Sequence, residues 1–471
     1  MPRKWGQESV ILPDSNALTD TATVNLTDSI RVLKFGGTSV GSGERILDAA
    51  TLVLETGGTP VVVVSAMSGV TNDLASLAAG DDTLLEPLLR RHLEAARVIH
   101  PSGPRQVRLE EALRERIARL AQEAGDVDEI MAAGEDLSVL LMTAALERLS
   151  GEGDPPRARG VDARTLVRTD PGRGGGIPRD DETVELARRH LLPLVAEGTI
   201  PVTQGFVGAT ADGRTTTLGR GGSDFTAAII GAALGAPEVT IWTDVDGIFS
   251  ADPNRVPGAR VLPELGYEEA VELAWFGARV IHPAAAKHAL GRRVALRIRN
   301  TLNPEHPGTL IRIDRRSTPG VAALAYKPHT ALITVRSRPH FMAHGFLARV
   351  FEVLSGRGVP VDLVATSHTS TAFTVDESAD LDEVRAALDR FAEVEVRAGL
   401  ATVSAIGQGL LRMPGILAEV FRVLEDLPIH LVSQATDTSL SLVVDEGQGE
   451  TVVRRLHDAL LPPSPSEEPV P

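Results

Sequence analysis

The segment Pro60-Val61-Val62-Val63-Val64-Ser65-Ala66 constrains the fold more than any other. Four successive β-branched residues without polar alternation suit a strand covered on both faces, the situation of a central strand in a parallel sheet. The apolar run at residues 30–35 reads the same way. Each run ends in a polar, glycine-containing loop, Lys34-Phe35-Gly36-Gly37-Thr38-Ser39-Val40-Gly41 after the first and Met67-Ser68-Gly69-Val70-Thr71-Asn72-Asp73 after the second. A helical pattern follows the first loop at residues 44–50. Strands and helices alternate in this way from residue 30 to about 315, which predicts α/β class and a three-layer α/β/α domain. In such sheets ligands bind beyond the carboxyl ends of the strands, so these loops are the places where chemistry is expected.

The first loop fits a phosphate cradle. Paired glycines let the backbone turn sharply and present N–H groups, a helix start beyond them favours an anion, and Lys34 adds a point charge. It is neither a Walker A loop, because the lysine precedes the glycines, nor G-x-G-x-x-G. On these residues alone a tight turn with a surface lysine is an equal reading. Glu135, in Gly134-Glu135-Asp136 near the start of a helix at 129–148, reads alone as an acid serving the helix dipole. The stretch Gly213-Arg214-Thr215-Thr216-Thr217-Leu218-Gly219-Arg220-Gly221-Gly222-Ser223-Asp224 is a second glycine loop opening a helix, too rich in special residues for a solvated loop. Thr243-Asp244-Val245-Asp246-Gly247-Ile248-Phe249 closes another strand, and Asp252-Pro253-Asn254 is a turn. His282 has no second His or Cys at ligand spacing and reads as packed and hydrogen-bonded, so no metal site is expected.

Further helices are expected at 83–99, 105–123, 180–194 and 267–276, and strands at 161–167, 200–208, 294–301 and 308–313. The formal charge of −16 argues against a nucleic-acid or anionic-membrane partner, while leaving room for a local positive pocket. There are no cysteines, which excludes disulfides, thiolate metal sites and a Cys nucleophile. No apolar run reaches the roughly 18 residues of a membrane span. Residues 1–29 contain several acids and no apolar core, unlike a leader, and are expected to be a disordered extension, as is the tail at 462–471. A cytoplasmic protein is expected.

The C-terminal region repeats itself. Gly345-Phe346-Leu347-Ala348-Arg349-Val350-Phe351-Glu352-Val353-Leu354 parallels Gly415-Ile416-Leu417-Ala418-Glu419-Val420-Phe421-Arg422-Val423-Leu424. Strand candidates at 359–365 and 427–434 follow, then alternating strands that end in Asp376 and Asp445. Helices at 380–391 and 449–460 extend the unit to β-α-β-β-α-β, an α+β module in two copies that carries little chemistry and reads as a binding or dimerising part.

These motifs resemble those of the aspartate kinases of the amino-acid kinase superfamily. KFGGTSVG at 34–41, SAMSGVTNDL at 65–74, AAGEDLS at 132–138, QGFVG at 204–208, GRTTTLGRGGSD at 213–224, WTDVDGIF at 242–249 and FGARVIHP at 276–283 carry the likeness, in order, over about residues 30–460. The repeated modules resemble ferredoxin-like ACT domains, and the pattern is closest to the monofunctional, lysine-sensitive branch. The resemblance implies a catalytic domain at 30–318 and ACT domains at 325–398 and 399–461. It implies phosphorylation of the side-chain carboxylate of L-aspartate by ATP with Mg²⁺, the first step toward lysine, threonine and methionine, with feedback through the ACT domains. That carboxylate is ionised at neutral pH (pKa about 3.9), so no general base is required.

By the same resemblance, Lys34, Asp224 and Arg220 are the catalytic residues. Lys34 would bridge the phosphates, Asp224 would orient Lys34 or the metal region, and Arg220 would grip the α-carboxylate bidentately. Glu135 would take the α-ammonium, with Thr71, Phe206, Gly221, Gly222 and Ser223 completing the substrate site. Lys34, Gly36, Gly37, Ser39, Thr243, Asp244, Phe249, Asn254, Arg279 and Val280 would contact the nucleotide. Three positions depart from the family: Arg279 stands for a usual lysine, Phe249 for a tyrosine and Asn254 for an arginine, with Arg255 beside it. The implied effector is L-lysine at Phe346, Leu347, Val361, Asp362 and Ser367; His340, Ala343 and His368 depart from that site, His368 standing where an acid is expected. A homodimer or larger assembly through the ACT domains is implied. Competing expectations are another amino-acid kinase, acting on glutamate or N-acetylglutamate, and a non-catalytic amino-acid sensor.

Overall fold

The computed structural model describes residues 29–122, 125–151, 157–172, 175–277, 289, 291–313, 319–337 and 345–462. The expected extension and tail (save residues 29 and 462), Arg279, Val280, His282, His340 and Ala343 lie outside the described residues.

The first half runs β1 (Ile30–Phe35), α1 (Gly43–Glu55), β2 (Thr59–Val64), α2 (Val70–Ala78), α3 (Leu85–Ile99), α4 (Pro104–Leu120) and α5 (Val127–Ser150). It continues with β3 (Ala158–Val161), α6 (Asp180–Ala196), β4 (Ile200–Gln204), β5 (Val207–Ala209), β6 (Thr215–Thr217) and α7 (Gly222–Leu234). Then come β7 (Glu238–Thr243), β8 (Glu264–Gly266), α8 (Tyr267–Trp275), β9 (Ala295–Asn300) and β10 (Thr309–Arg312). Eight strands form one sheet in the order β3-β4-β2-β1-β7-β9-β10-β8. All its pairs are parallel except β9 with β10.

The valine run sits where its composition places it. β2 lies between β1 and β4, and Val61, Val62, Val63 and Val64 are all fully buried. Alternate residues feed two separate cores. Val32, Val61 and Val63 pack on α6 and α7 through Leu191, Ala227 and Ile230. Leu33, Phe35, Val62 and Val64 pack on the other side with Ile46, Leu74, Leu93, Leu113 and Leu137, from α1 to α5. The period-2 alternation of a strand thus makes the middle layer of an α/β/α sandwich.

Three local expectations are corrected. Residues 161–167 do not form a strand. The strand is three residues earlier in onset, pairing Ala158 to Val161 with β4, and Asp162 then caps a short 3₁₀ turn, its carboxylate accepting from Arg164 N at 3.0 Å. A side chain that satisfies the next backbone N–H ends the ladder. Conversely, Thr215–Thr217, read as loop, pairs antiparallel with Val207–Ala209. The helix expected at 83–99 begins as a 3₁₀ turn, Asp82–Leu84, and is helical from Leu85.

The C-terminal half runs β11 (Gly320–Ser337), α9 (Phe346–Ser355), β12 (Val364–Thr366), β13 (Ser370–Asp376), α10 (Leu381–Leu388) and β14 (Ala392–Gln408), then α11 (Ile416–Val423), β15 (Ile429–Ser433), β16 (Ser439–Asp445) and α12 (Glu446–Leu460). The strands form one sheet, β12-β13-β11-β14-β16-β15. The two modules are interleaved. Residues 330–337 of β11 pair with β13 and with the first part of β14, while residues 320–327 pair with the last part of β14. The second module therefore has no strand of its own after α12; the first part of β11 fills that place. The expected boundary between 398 and 399 falls within β14, and β11, the first strand of this sheet, starts at Gly320, ahead of residue 325. Both long strands kink where the modules meet. His329 (φ 54°) donates its N–H to Glu446 at 3.2 Å, and Gly399 (φ 72°) donates to Glu377, the residue at the same place in the other repeat.

The two halves share a core. Leu265, Ala270 and Leu273 pack with Ala323, Ala325 and Ile406. The loop after β7 is clamped to α12: Ser250 Oγ meets His457 Nε2 at 2.9 Å, and Arg255 pairs with Glu450 and lies 4.6 Å over the Tyr326 ring. No helix among the described residues is long and apolar enough to cross a membrane.

Candidate active site

β1 ends at the centre of the sheet with Lys34 on its penultimate position, opposite Val63 of β2 and Ile241 of β7. Flanking strands bury the lysine stem and aim its amine past the carboxyl edge. There it meets Asp224, in the first turn of α7, at 2.6 Å, with both side chains nearly buried. A short ion pair in a low-dielectric wall fixes the amine in one place. Gly221, at φ 69°, lets the chain turn from the preceding loop into α7, which puts Asp224 and Ser223 on the cavity side.

A cavity of about 650 Å³ opens beside this pair. Lys34, Thr71, Glu135, Phe206, Arg220, Gly221, Gly222, Ser223 and Asp224 all line it, together with Gly37. Every substrate residue expected from the sequence is thus on one wall or another. Arg220 is exposed to it and makes no ion pair among the described residues. Glu135 enters from α5. Its carboxylate is buried and accepts one hydrogen bond from Ala66 N at 3.1 Å. Gly134 makes that approach feasible, since a Cβ there would stand 2.6 Å from the Ala66 methyl. Burial, reinforced by the Asp136 charge next door, pushes the Glu135 carboxyl up to about 8 despite the Ala66 hydrogen bond and the Lys34 charge.

Phe206 adopts φ 67°, a position that costs a non-glycine residue some strain, and its N–H is held by Thr226 Oγ1 at 3.0 Å. Gly205 before it packs directly on Ser223, where a Cβ would come within 2.5 Å.

The residues expected at the nucleotide divide. Lys34 and Gly37 line the cavity. The Gly36 N–H is spent on Trp242 O at 3.0 Å, which corrects its expected role as a phosphate donor. Ser39 is buried, its hydroxyl within 3.3 Å of Trp242 O and 3.2 Å of Thr301 Oγ1, and so braces the loop. Thr243 is the last residue of β7, adjacent to β1 on the same sheet edge, and Asp244 follows it, with their side chains 3.2 Å apart. Phe249 bridges to Val261 along the following loop. Asn254 is exposed and turned back on Asp252. Arg255 is committed to Asp252, Glu450 and Tyr326, so it does not stand in for the arginine missing at 254.

Among the cavity residues that went unmarked in the sequence, one is charged. Asp128, in the first turn of α5, is buried, lines the cavity and accepts from Thr217 of β6. Its only sequence signal was an acid at a helix start, which is indistinguishable from a dipole partner.

Of the effector positions, Asp362 is the most constrained. Its carboxylate, 4% exposed, is paired with Lys327 Nζ at 2.5 Å. Phe346 packs edge-on against Phe391, Val361 lies on the module's own core, Leu347 is exposed, and Ser367 closes a turn on Ser370. His368 is exposed in that turn.

Residues 29–300 match the Amino acid kinase family, and residues 403–460 match the ACT domain. The chain is 36% identical over 454 residues to the lysine-sensitive aspartokinase 3 of Escherichia coli, spanning 92% of this chain and 99% of that protein. It is 32% identical to the aspartokinase of Geobacillus stearothermophilus over 91% of this chain and 97% of the relative. The crystal structure of E. coli aspartokinase III with aspartate and ADP (R-state) superposes with a TM-score of 0.79 at 35% identity, covering 92% of this chain and 99% of that one. The same enzyme with lysine and aspartate (T-state) gives 0.77 at 34%.

Proposed function

The chain belongs to the amino acid kinase family, among its aspartokinases, and we propose that its cavity transfers the γ-phosphoryl group of ATP to the side-chain carboxylate of L-aspartate. A carboxylate oxygen attacks the γ-phosphorus, the bond to the β-phosphate oxygen breaks with its electron pair leaving on ADP, and 4-phospho-L-aspartate is the product. The attacking group is already ionised, so what the protein has to supply is position and positive charge. The carrying observation is one cavity lined by a fixed ammonium, Lys34 on Asp224, by a guanidinium that makes no ion pair among the described residues, Arg220, and by a buried carboxylate, Glu135.

Roles follow from that arrangement. Lys34 meets the negative charge that two anions create on approach, and Asp224 holds it in place. Arg220 takes the α-carboxylate through two parallel N–H groups, and Glu135 takes the α-ammonium, becoming ionised as it does so. Thr71 and Ser223 add hydrogen bonds at the cavity wall, and Phe206, Gly221 and Gly222 shape it. Thr243, Asp244, Phe249 and Asn254 border the nucleotide along the loop after β7. Mg²⁺ fits this donor set: a small hard cation that keeps waters and rides on phosphate oxygens needs few protein ligands, and Asp224 is the carboxylate beside Lys34. When bound, it neutralises phosphate charge.

We take residues 30–318 as the catalytic domain, followed by two interleaved ACT modules acting as the regulatory and self-associating part of a cytoplasmic homodimer or larger assembly. L-lysine is the proposed effector, with Asp362 its cation partner.

The test is coupled ADP release with L-aspartate, L-glutamate and N-acetyl-L-glutamate. Turnover with aspartate alone is expected. Turnover of glutamate but not aspartate overturns the reading, and no ADP release with any of the three supports a non-catalytic sensor.

A further inference from the structure

Behind Glu135, on the far side of α5 from the cavity, lies a second group of charged residues that the reaction does not use. Successive helix residues point about 100° apart, so Asp136 faces away from the cavity that Glu135 lines. Its carboxylate receives four N–H groups: Arg116 Nε at 2.8 Å, Arg164 Nη1 at 3.0 Å, Arg164 Nη2 at 3.3 Å and Gln204 Nε2 at 2.8 Å. Burial would raise its pKa, but the two guanidiniums hold it below the usual carboxylate range. The other donors and acceptors are taken as well. Gln204 Oε1 accepts from Ala163 N at 2.8 Å, Arg164 Nε donates to Thr215 Oγ1 at 2.7 Å, and Arg164 Nη2 reaches Glu129 at 3.2 Å.

What this group joins is informative. Arg116 comes from α4, Asp136 from α5, Arg164 from the 3₁₀ turn Ala163–Thr165 and Gln204 from the end of β4. Two residues beyond Gln204 is the strained Phe206, and two beyond Thr215 is Thr217; both line the cavity. Three elements that line the cavity, α5, the end of β4 and β6, are therefore tied to one largely buried carboxylate, β6 by way of Arg164. Lys34 and Asp224 are carried by β1 and α7, which supply none of the cluster's side chains; α7 meets this part of the site only downstream of Gln204, where Thr226 accepts the Phe206 N–H.

We propose that Asp136, with Arg164 and Gln204, is a positioning cluster for the amino-acid substrate, setting where Glu135 and Phe206 stand and leaving the phosphoryl end untouched. The proposal rests on the reading of the cavity as an aspartate site. Satisfied networks of this kind act as rigid joints, and a joint one residue behind a binding carboxylate controls its placement. Asp136 also acts on Glu135 through space, since its charge helps to raise the Glu135 carboxyl. Lys34 opposes that effect, while Arg220 and Asp224 line the same cavity.

The experiment uses the full chain, with initial rates against aspartate and against ATP at pH 6.5 to 9.5 (values chosen to span about 8, the carboxyl in question). Asp136→Asn and Gln204→Met are compared with the wild type, with circular dichroism as the check on folding. Both variants should raise KM for aspartate about 10-fold while kcat and KM for ATP stay within about 2-fold. Asp136→Asn should also move the pH midpoint of aspartate KM down, and Gln204→Met, which removes no charge, should not move it. Unchanged aspartate KM in both variants overturns the proposal, as does a parallel rise in both KM values, which is the mark of general loosening. If Asp136→Asn does not fold, the split between the two KM values in Gln204→Met decides. Wild-type protein inactive on aspartate fells the functional reading itself, and the proposal with it.

Discussion

Lys34 and Asp224 meet at 2.6 Å in a wall where neither is well solvated, and that pair sets the residue-scale expectations. Lys34→Met should lower kcat by about 10²- to 10³-fold, the cost of removing one preorganised stabilising charge, with far-UV circular dichroism unchanged. A near-normal kcat refutes the role given to Lys34. Glu135 gives a pH signature. It must be ionised to hold an ammonium, and burial has pushed it up to about 8. KM for aspartate should therefore fall as pH rises through about 8, and Glu135→Gln should lose that dependence along with most affinity. The stability sign is opposite. Between the ordinary carboxyl value of 4.5 and about 8 the folded state keeps a proton that the unfolded state releases, so Glu135 costs stability progressively over that window. At pH 8 Glu135→Gln should melt higher than wild type; an equal or lower Tm argues that the carboxyl titrates normally. These residues were visible in the sequence as types at loop positions, but their environments were not. Nothing in AAGEDLS tells that Glu135 turns into the cavity while Asp136 turns onto two arginines.

At the scale of elements, the site depends on close backbone approaches. β4 leads through Gly205 onto the start of α7, and a methyl at Gly205 would stand 2.5 Å from the Ser223 Cβ. Gly205→Ala should cost about 1–3 kcal/mol by overpacking and raise KM for aspartate, because α7 carries Ser223 and Asp224. Denaturant titration beside kinetics checks both; an unchanged midpoint shows that α7 yields without cost. The element types were largely legible. The valine run and the glycine-loop-helix rhythm reflect burial on both faces and the needs of a tight βα turn, which are local facts. The misses were local contests. Asp162 capped a 3₁₀ turn where apolar residues suggested a strand, and three threonines found a partner in Val207–Ala209 that only the fold brings alongside.

Over the whole molecule, the loop after β7, proposed to border the nucleotide, is fastened to α12 through Ser250–His457 and Arg255–Glu450. Whatever moves the second ACT module pulls on that loop. The proposed effector site holds a testable feature: Asp362 is already paired with Lys327 of its own chain. Free lysine has to displace that amine, so Lys327→Met should lower the lysine concentration for half-inhibition, while threonine inhibits neither form. No response to millimolar lysine in either protein removes lysine as the effector. The repeat itself was plain in the sequence, as two ten-residue matches seventy positions apart. The interleaving was not, because residues 320–327 complete a module whose other parts lie beyond 400.

Sequence alone determined the class of fold, the order of the strand-end loops and the chemistry on offer: lysine and arginine for anions, a carboxylate for an ammonium, no thiol and no paired histidine. These follow from local periodicity and residue type, which act over a few positions. Only the tertiary structure decided which residues share a wall, that the Gly36 N–H is turned into the sheet, that Arg255 faces α12, and that Asp136 gathers Arg116, Arg164 and Gln204. The physical reason is the same in each case. Hydrogen-bond and charge partners far apart in sequence are chosen by packing, and burial then sets how strongly they act.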